Sequence, residues 1–324
     1  MNELNRRDWG KLAFAGLATA ALRPSLPPSL APLPARLSKG AKGAKEAKGE
    51  KLKTKSIVNG VTIGAQSYSF RDRSLDDMLT GMVEVGISSC ELWQGHLESK
   101  ELLRKIYSAN DKNSQEEVRK LRLSTPLSEY TKIRDKFKNA GVDIYAYNYS
   151  FREGFSDEEI EQGFKIARAL GAKVITASSN VSIAKRVDPF AIKHKMRVGM
   201  HNHSNISPNE FATPDDFARA MDGMSKYICV NLDIGHFVAA GFDPLDYLRQ
   251  HHDRILTLHI KDRKRNQGDN MPFGQGDTPI REVLSLLRTS HWPIPANIEY
   301  EYQGQDTIAE MKRCFEYCRQ ALAT

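Results

Sequence analysis

At 324 residues the chain is long for one ordinary domain, yet a single α/β barrel of roughly 250 residues with an appendage accounts for it. The formal charge of +7 is unevenly placed: residues 1–55 hold twelve Lys and Arg against four Asp and Glu, so residues 56–324 are close to neutral. This excludes the basic stripe that a nucleic-acid-binding domain needs, and Cys90, Cys229, Cys314 and Cys318, without C-x-x-C spacing, point to buried unpaired thiols and away from a zinc ribbon.

The chain begins with Asn5-Arg6-Arg7-Asp8-Trp9-Gly10-Lys11-Leu12, followed by a short apolar run from Leu12 to Leu22. That run is too short to span a bilayer and has the length of a signal-peptide core. With the arginine pair before it, residues 1–35 are similar to a twin-arginine export signal, which implies a periplasmic or extracytoplasmic location, engagement with export machinery, and a mature protein not embedded in the membrane. Residues 36–55, rich in Lys, Ala and Gly, read as a linker. The barrel is expected over residues 56–324.

From Val61 onward, short β-branched or aromatic runs alternate with helical patterns, the mark of parallel βα units. Eight strands are predicted: Thr62 to Ser69, Ser88 to Trp93, Asp143 to Tyr149, Lys173 to Ala177, Arg197 to Asn202, Ile228 to Asp233, Ile255 to Ile260 and Ala296 to Tyr302. Ser74, Ser156 and Thr213 are placed to cap helices, and Gly86, Gly141 and Gly171 to end them just before strands two, three and four. Closure at eight predicts a (β/α)8 TIM barrel, and no G-x-G-x-x-G follows the first strand. Leu97 to Pro126 is too long for a plain βα loop and predicts a helical insertion over the catalytic face.

Chemistry in such barrels gathers at the strand C-termini. Four consecutive ends carry ligand-type residues: His201-Asn202-His203, Asp233-Ile234-Gly235-His236, His259-Ile260-Lys261-Asp262-Arg263 and Glu299-Tyr300-Glu301. Imidazoles and carboxylates on neighbouring strands suit one divalent ion, with His201, Asp233, His259 and Glu299 as its ligands. His203, Glu301 and Lys261 lie two residues further along and share the same facing, which suits proton transfer. His236 is the first candidate proton carrier or hydrogen-bond partner. Asp262 and Arg263 read as a local ion pair, with Arg263 also a candidate for substrate contact. Among the aromatics Tyr68, Phe70, Trp93, Tyr147 and Tyr149, the substrate-stacking candidates are Trp93 and Tyr68. The partner expected is a small sugar or polyol; oligomeric state stays open.

Leu232-Asp233-Ile234-Gly235-His236, Leu258-His259-Ile260-Lys261-Asp262, the later Gly274-Gln275-Gly276-Asp277 and Ile298-Glu299 resemble, in that order, the xylose isomerase-like superfamily and its sugar phosphate isomerase/epimerase group. The resemblance spans Val61 to Ala323. It implies a site for Mn2+, Mg2+, Co2+ or Zn2+ built from a Glu, the Asp of Asp-x-x-His, a His and a Glu; Asp233, His259 and Glu299 match the last three. His201 stands where the family's strand-five Glu is expected. Ser204-Asn205-Ile206-Ser207 occupies the place of a second catalytic Glu, with Glu210 the nearest acid. The implied activity is proton abstraction beside a carbonyl through an enediolate, giving isomerisation or epimerisation. A lyase or hydratase of 3-keto glycosides or inososes, and a non-catalytic sugar-binding barrel, are the alternatives.

Overall fold

The computed structural model describes residues 56–98 and 112–323. The arginine pair, the apolar run and the linker lie outside the described residues, as do residues 99–111 of the expected insertion.

Eight parallel strands close on themselves: β1 (Val61–Gln66), β2 (Ser89–Trp93), β3 (Asp143–Asn148), β4 (Val174–Ala177), β5 (Val198–His201), β6 (Ile228–Asp233), β7 (Ile255–Ile260) and β8 (Ala296–Ile298). Each pairs with its neighbours in chain order, and β8 returns to β1. The barrel and its strand count are those expected. Two ends are shorter than the sequence suggests. After Gln66 the chain turns into a 3-10 segment, Ser67–Phe70, where the Gln66 side chain accepts from the Tyr68 N–H; β8 stops at Ile298, where the Ser69 hydroxyl donates to the Ile298 carbonyl and accepts from the Tyr300 N–H, between the neighbouring ends of β1 and β8.

Outside the barrel run α1 (Leu75–Val85), α2 (Lys112–Ser124), α3 (Leu127–Ala140), α4 (Asp157–Ala169), α5 (Ala184–His194), α6 (Pro214–Met221), α7 (Ile234–Ala239), α8 (Pro244–His251), α9 (Ile280–Ser290) and α10 (Thr307–Ala323). Ser74, Ser156 and Thr213 cap α1, α4 and α6 as their spacing requires. Gly86, Gly141 and Gly171 adopt the left-handed backbone (φ +94°, +78° and +76°) that an L side chain resists. None of the helices among the described residues is long and apolar enough to cross a membrane.

The main apolar core lies between strands and helices, and all four cysteines are buried and unpaired. Inside the barrel the filling changes with height. Ala146, Val174, Cys229 and Leu256 form a small apolar cluster, while Asn148, Thr176 and Asn231, two residues further along their strands and so facing the same way, are polar and fully buried or nearly so. The barrel is therefore apolar below and polar towards the C-terminal end.

Of the expected insertion, α2 is the described part. Its Arg119 and Arg122 both pair with Glu159 at the start of α4, and Arg122 lies over the rings of Tyr149 and Phe155. It packs beside the loop that follows β3.

Candidate metal centre at the barrel mouth

Three adjacent strand ends and the residue just past β8 bring His201, Asp233, His259 and Glu299 together, with one ligand atom from each within 4.8 Å of the others and all four buried. Asn202, between the two histidines of its motif, points the other way and ties the β5 and β6 ends: it donates to the Asp233 carbonyl and accepts from the Asp233 N–H. Asp233 caps α7, its Oδ1 accepting from the His236 N–H at 2.7 Å, which leaves Oδ2 facing the cluster. The glycine of Asp-Ile-Gly-His is also accounted for, since a Cβ at Gly235 would lie 2.6 Å from the Lys261 carbonyl oxygen.

Burial holds His201 neutral, with its pKa well below the usual value and the His259 charge adding to the shift. Burial opposes a proton on His259 too, but Glu91 and Glu299 outweigh it and raise its pKa. Lys261 extends into the same cluster. Its Nζ lies 3.0 Å from Asp233 Oδ2, 2.8 Å from Glu299 Oε2 and 2.6 Å from Glu301 Oε2, and these carboxylates reverse the effect of burial and keep it an ammonium.

His236 lies between two cations, with Arg263 donating to its Nδ1 at 2.7 Å and Lys261 Nζ 2.9 Å from its Nε2. Burial first, then Lys261, holds it neutral. Arg263, expected at the substrate, is buried, and its guanidinium is engaged by His236, Ser204 Oγ and the Gly268 carbonyl. The expected Asp262–Arg263 ion pair does not form. Instead, the Asp262 carboxylate accepts from the N–H groups of Gly274, Gly276 and Thr278, because a glycine-bearing loop wraps it closely enough that a Cβ at Gly276 would lie 1.9 Å from Asp262 Oδ1. That contact explains the Gly-Gln-Gly-Asp string.

Towards solvent lie Glu301, whose side chain is 23% exposed, and His203, exposed with its ring 5.0 Å from that of His201. Tyr68 and Trp93, both half-buried, meet edge to face at 4.9 Å beyond β1 and β2; burial, then the Glu301 charge, keeps the Tyr68 hydroxyl protonated. Phe70, Tyr147 and Tyr149 are core residues. Glu210 is not one of the four clustered ligands. A cavity of about 780 Å³ lined by Phe273, Tyr302, Gln303 and Tyr317, among others, lies beside this region and shares no residue with the cluster; ligand geometry, not open volume, identifies the site.

Sequence reasoning missed Glu91. Fully buried in β2, it accepts from Thr176 Oγ1 at 2.6 Å and Asn297 Nδ2 at 2.9 Å, and lies 3.0 Å from His259 Nε2. The available signal was an acid two residues before Trp93, on the same facing, in an otherwise uncharged strand.

The donor set fits a divalent ion. His201 Nδ1 is buried without a hydrogen-bond partner, and Asp233 Oδ2, facing the same space, has the Lys261 ammonium as its near polar neighbour. Ligands about 2.0–2.3 Å from one ion lie roughly 3–4.5 Å apart, so the observed spread of 4.8 Å requires only a small contraction. Two imidazoles with two carboxylates suit Mn2+, Co2+ or Zn2+ better than an all-oxygen preference such as that of Mg2+.

Residues 111–320, well over half of the chain, match the family described as xylose isomerase-like TIM barrel. No curated protein matches the sequence. Among solved structures, a sugar phosphate isomerase/epimerase from Parabacteroides distasonis is 18% identical and covers 82% of this chain and 96% of its own, with a TM-score of 0.57. A 3-keto-D-glucoside 4-epimerase from E. coli is 13% identical, with 80% and 99% covered and a TM-score of 0.60. A D-tagatose 3-epimerase-like protein is 14% identical, with 81% and 98% covered and a TM-score of 0.57. At these identities the likeness is one of fold.

Proposed function

Because the chain belongs to the xylose isomerase-like TIM barrel family, we propose that it is a divalent-metal-dependent enzyme that abstracts a proton beside the carbonyl of an unphosphorylated sugar or polyol. The observation that carries this reading is the His201, Asp233, His259 and Glu299 cluster with Lys261 and Glu301 directly outside it.

A divalent ion held by those four side chains supplies Lewis-acid stabilisation of the negative charge that develops on substrate oxygens. Glu301, paired with Lys261 beside the cluster and neither one of the four ligands nor buried, takes the proton from carbon. Lys261 donates a hydrogen bond to the oxygen that gains charge, as a preorganised cation. His236, flanked by two cations, is a poor base and serves as a neutral hydrogen-bond partner that orients a hydroxyl. His203 lies at the exposed rim, where it exchanges protons with solvent. Tyr68 and Trp93 offer an aromatic wall for a sugar face. From the enediolate, reprotonation gives isomerisation or epimerisation, and loss of a β-substituent gives elimination. The unphosphorylated substrate is favoured because Arg263 is engaged by His236, Ser204 and Gly268, and Arg71 donates to the Tyr68 and Tyr300 carbonyls. Export through a twin-arginine signal belongs to the same proposal, and free keto sugars, inososes and 3-keto glycosides are the substrates it suits.

The test is incubation of the metal-loaded protein in D2O with a panel of free ketoses, inososes and 3-keto glycosides. Deuterium is expected at the carbon beside the carbonyl of at least one of them, and Asp233→Ala and Glu299→Ala should lose both bound metal and exchange. Metal binding with no exchange into any substrate overturns the chemistry; full metal occupancy in both variants overturns the ligand set.

A further inference from the structure

Glu91 crosses the barrel. It comes from β2, yet both of its oxygens lie 3.0 Å from Nε2 of His259 on β7. Its other neighbours are neutral amide and hydroxyl groups: Gln66, Asn148, Thr176, Asn231 and Asn297 all present donors to it. Burying a carboxylate without partners is costly, and here both oxygens have donors around them. The strands are shaped for this meeting. The β2–β3 register shifts between Cys90 and Glu91, and the β6–β7 register shifts between Val230 and Asn231, the kind of local irregularity that re-aims a side chain. Gly64 makes room in the same layer, since a Cβ there would lie 2.1 Å from Asn297 Oδ1.

The consequence for His259 follows from donor and acceptor chemistry. Asn231 Nδ2 lies 3.1 Å from Nε2 but also donates to Glu91; a lone pair on Nε2 would face two carboxylate oxygens at 3.0 Å, acceptor against acceptors, so Nε2 bears a proton and donates it to Glu91. The other nitrogen, Nδ1, lies 3.0 Å from Glu299 Oε2 and 4.0 Å from Asp233 Oδ2, among the remaining members of the cluster. We propose that Glu91 is a positioning residue that keeps the proton of His259 on Nε2 and thereby presents Nδ1, in fixed orientation, to a divalent ion. This rests on the metal reading above and extends it one layer down, as a carboxylate–histidine–metal relay.

The experiment is nitrogen-15 NMR of the histidine rings in the full chain, metal-free and loaded with Zn2+ or 113Cd2+, together with calorimetric titration of Zn2+ into wild type and Glu91→Gln. In wild type, His259 Nε2 should carry a proton in both states and 113Cd2+ should couple to Nδ1. Coupling to Nε2, or a deprotonated Nε2, overturns the proposal and needs no variant. Glu91→Gln, checked for folding by its melting curve, should bind Zn2+ about 10–100-fold more weakly; a folded variant with wild-type affinity also overturns it. Failure of the metal reading has a different signature, namely wild-type protein that takes up no divalent ion while Nε2 still bears its proton.

Discussion

Lys261 puts one ammonium among three carboxylates, two of which are also candidate metal ligands. In the absence of an ion that charge offsets the mutual repulsion of Asp233, Glu299 and Glu301; in its presence the ammonium and a dication are like charges a few ångströms apart. At an effective dielectric near 20, such repulsion amounts to several kcal/mol, part of which is relieved as Lys261 leans towards Glu301. Lys261→Met should therefore bind Zn2+ at least about tenfold more tightly than wild type, as read by competition with a chelator, while deuterium exchange into substrate falls. Equal or weaker Zn2+ binding would show that Lys261 supports the ligands and does not compete with their ion. At this scale the sequence was legible wherever a residue ends a strand: His201, Asp233, His259 and Glu299 each stand at or next to the last position of a barrel strand, where side-chain alternation fixes facing. Glu91 was not, because its meeting with His259 depends on two register shifts that no residue pattern announces.

Short connecting elements do more to set the site than the long helices. The Asp-x-x-His motif is a cap on α7: one carboxylate oxygen closes the helix, the other faces the ion site, and the helix returns His236 to the mouth. Similarly, the loop from Gly274 to Thr278 is wound around Asp262, which follows Lys261 directly. Gly276→Ala should thus cost about 1–3 kcal/mol by overpacking, lowering the melting temperature by a few degrees and loosening Lys261 with it. An unchanged melting temperature would mean the loop can shift without holding Asp262. Glycine and acid were visible in the sequence as a pair of strings, but their contact was not, since the Asp262–Arg263 neighbourhood suggested a simpler ion pair. The shortened β1 and β8 have a similar origin: aromatic residues continue past Gln66 and Ile298, yet the Ser69 hydroxyl takes up the Ile298 carbonyl and the Tyr300 N–H and ties the two neighbouring strand ends together in place of the ladder.

For the whole molecule, charge and fold separate along the chain. The net positive charge belongs to residues 1–55, and residues 56–324 are slightly negative; the barrel is closed by β8 on β1. If the first 55 residues are an export signal and linker, attaching them to a reporter that folds in the cytoplasm should carry it across the membrane, and replacing Arg6 and Arg7 together by Lys should stop it. A reporter retained with the native pair sinks the export reading and leaves the barrel chemistry untouched. The fold class was legible because eight βα units, three of them opened by a hydroxyl cap and three strands preceded by a helix-ending glycine, leave few ways to close a sheet. The depth of the site was less so, because the polar layer beneath the ligands depends on contacts between strands far apart in sequence.

The junction at the barrel floor bears on how the protein meets its surroundings. Ser56 is fixed to Ser88 before β2 begins, and Asn59 donates to the Leu322 carbonyl near the end of α10, so both ends of the described chain are gathered on the face away from the strand C-termini. An anchor attached through either end, whether a surface tether or an immobilisation tag, grips the molecule from behind and leaves the opening turned outward. Immobilised by its N-terminal side, the protein should leave the barrel mouth as accessible to a small molecule as it is in solution.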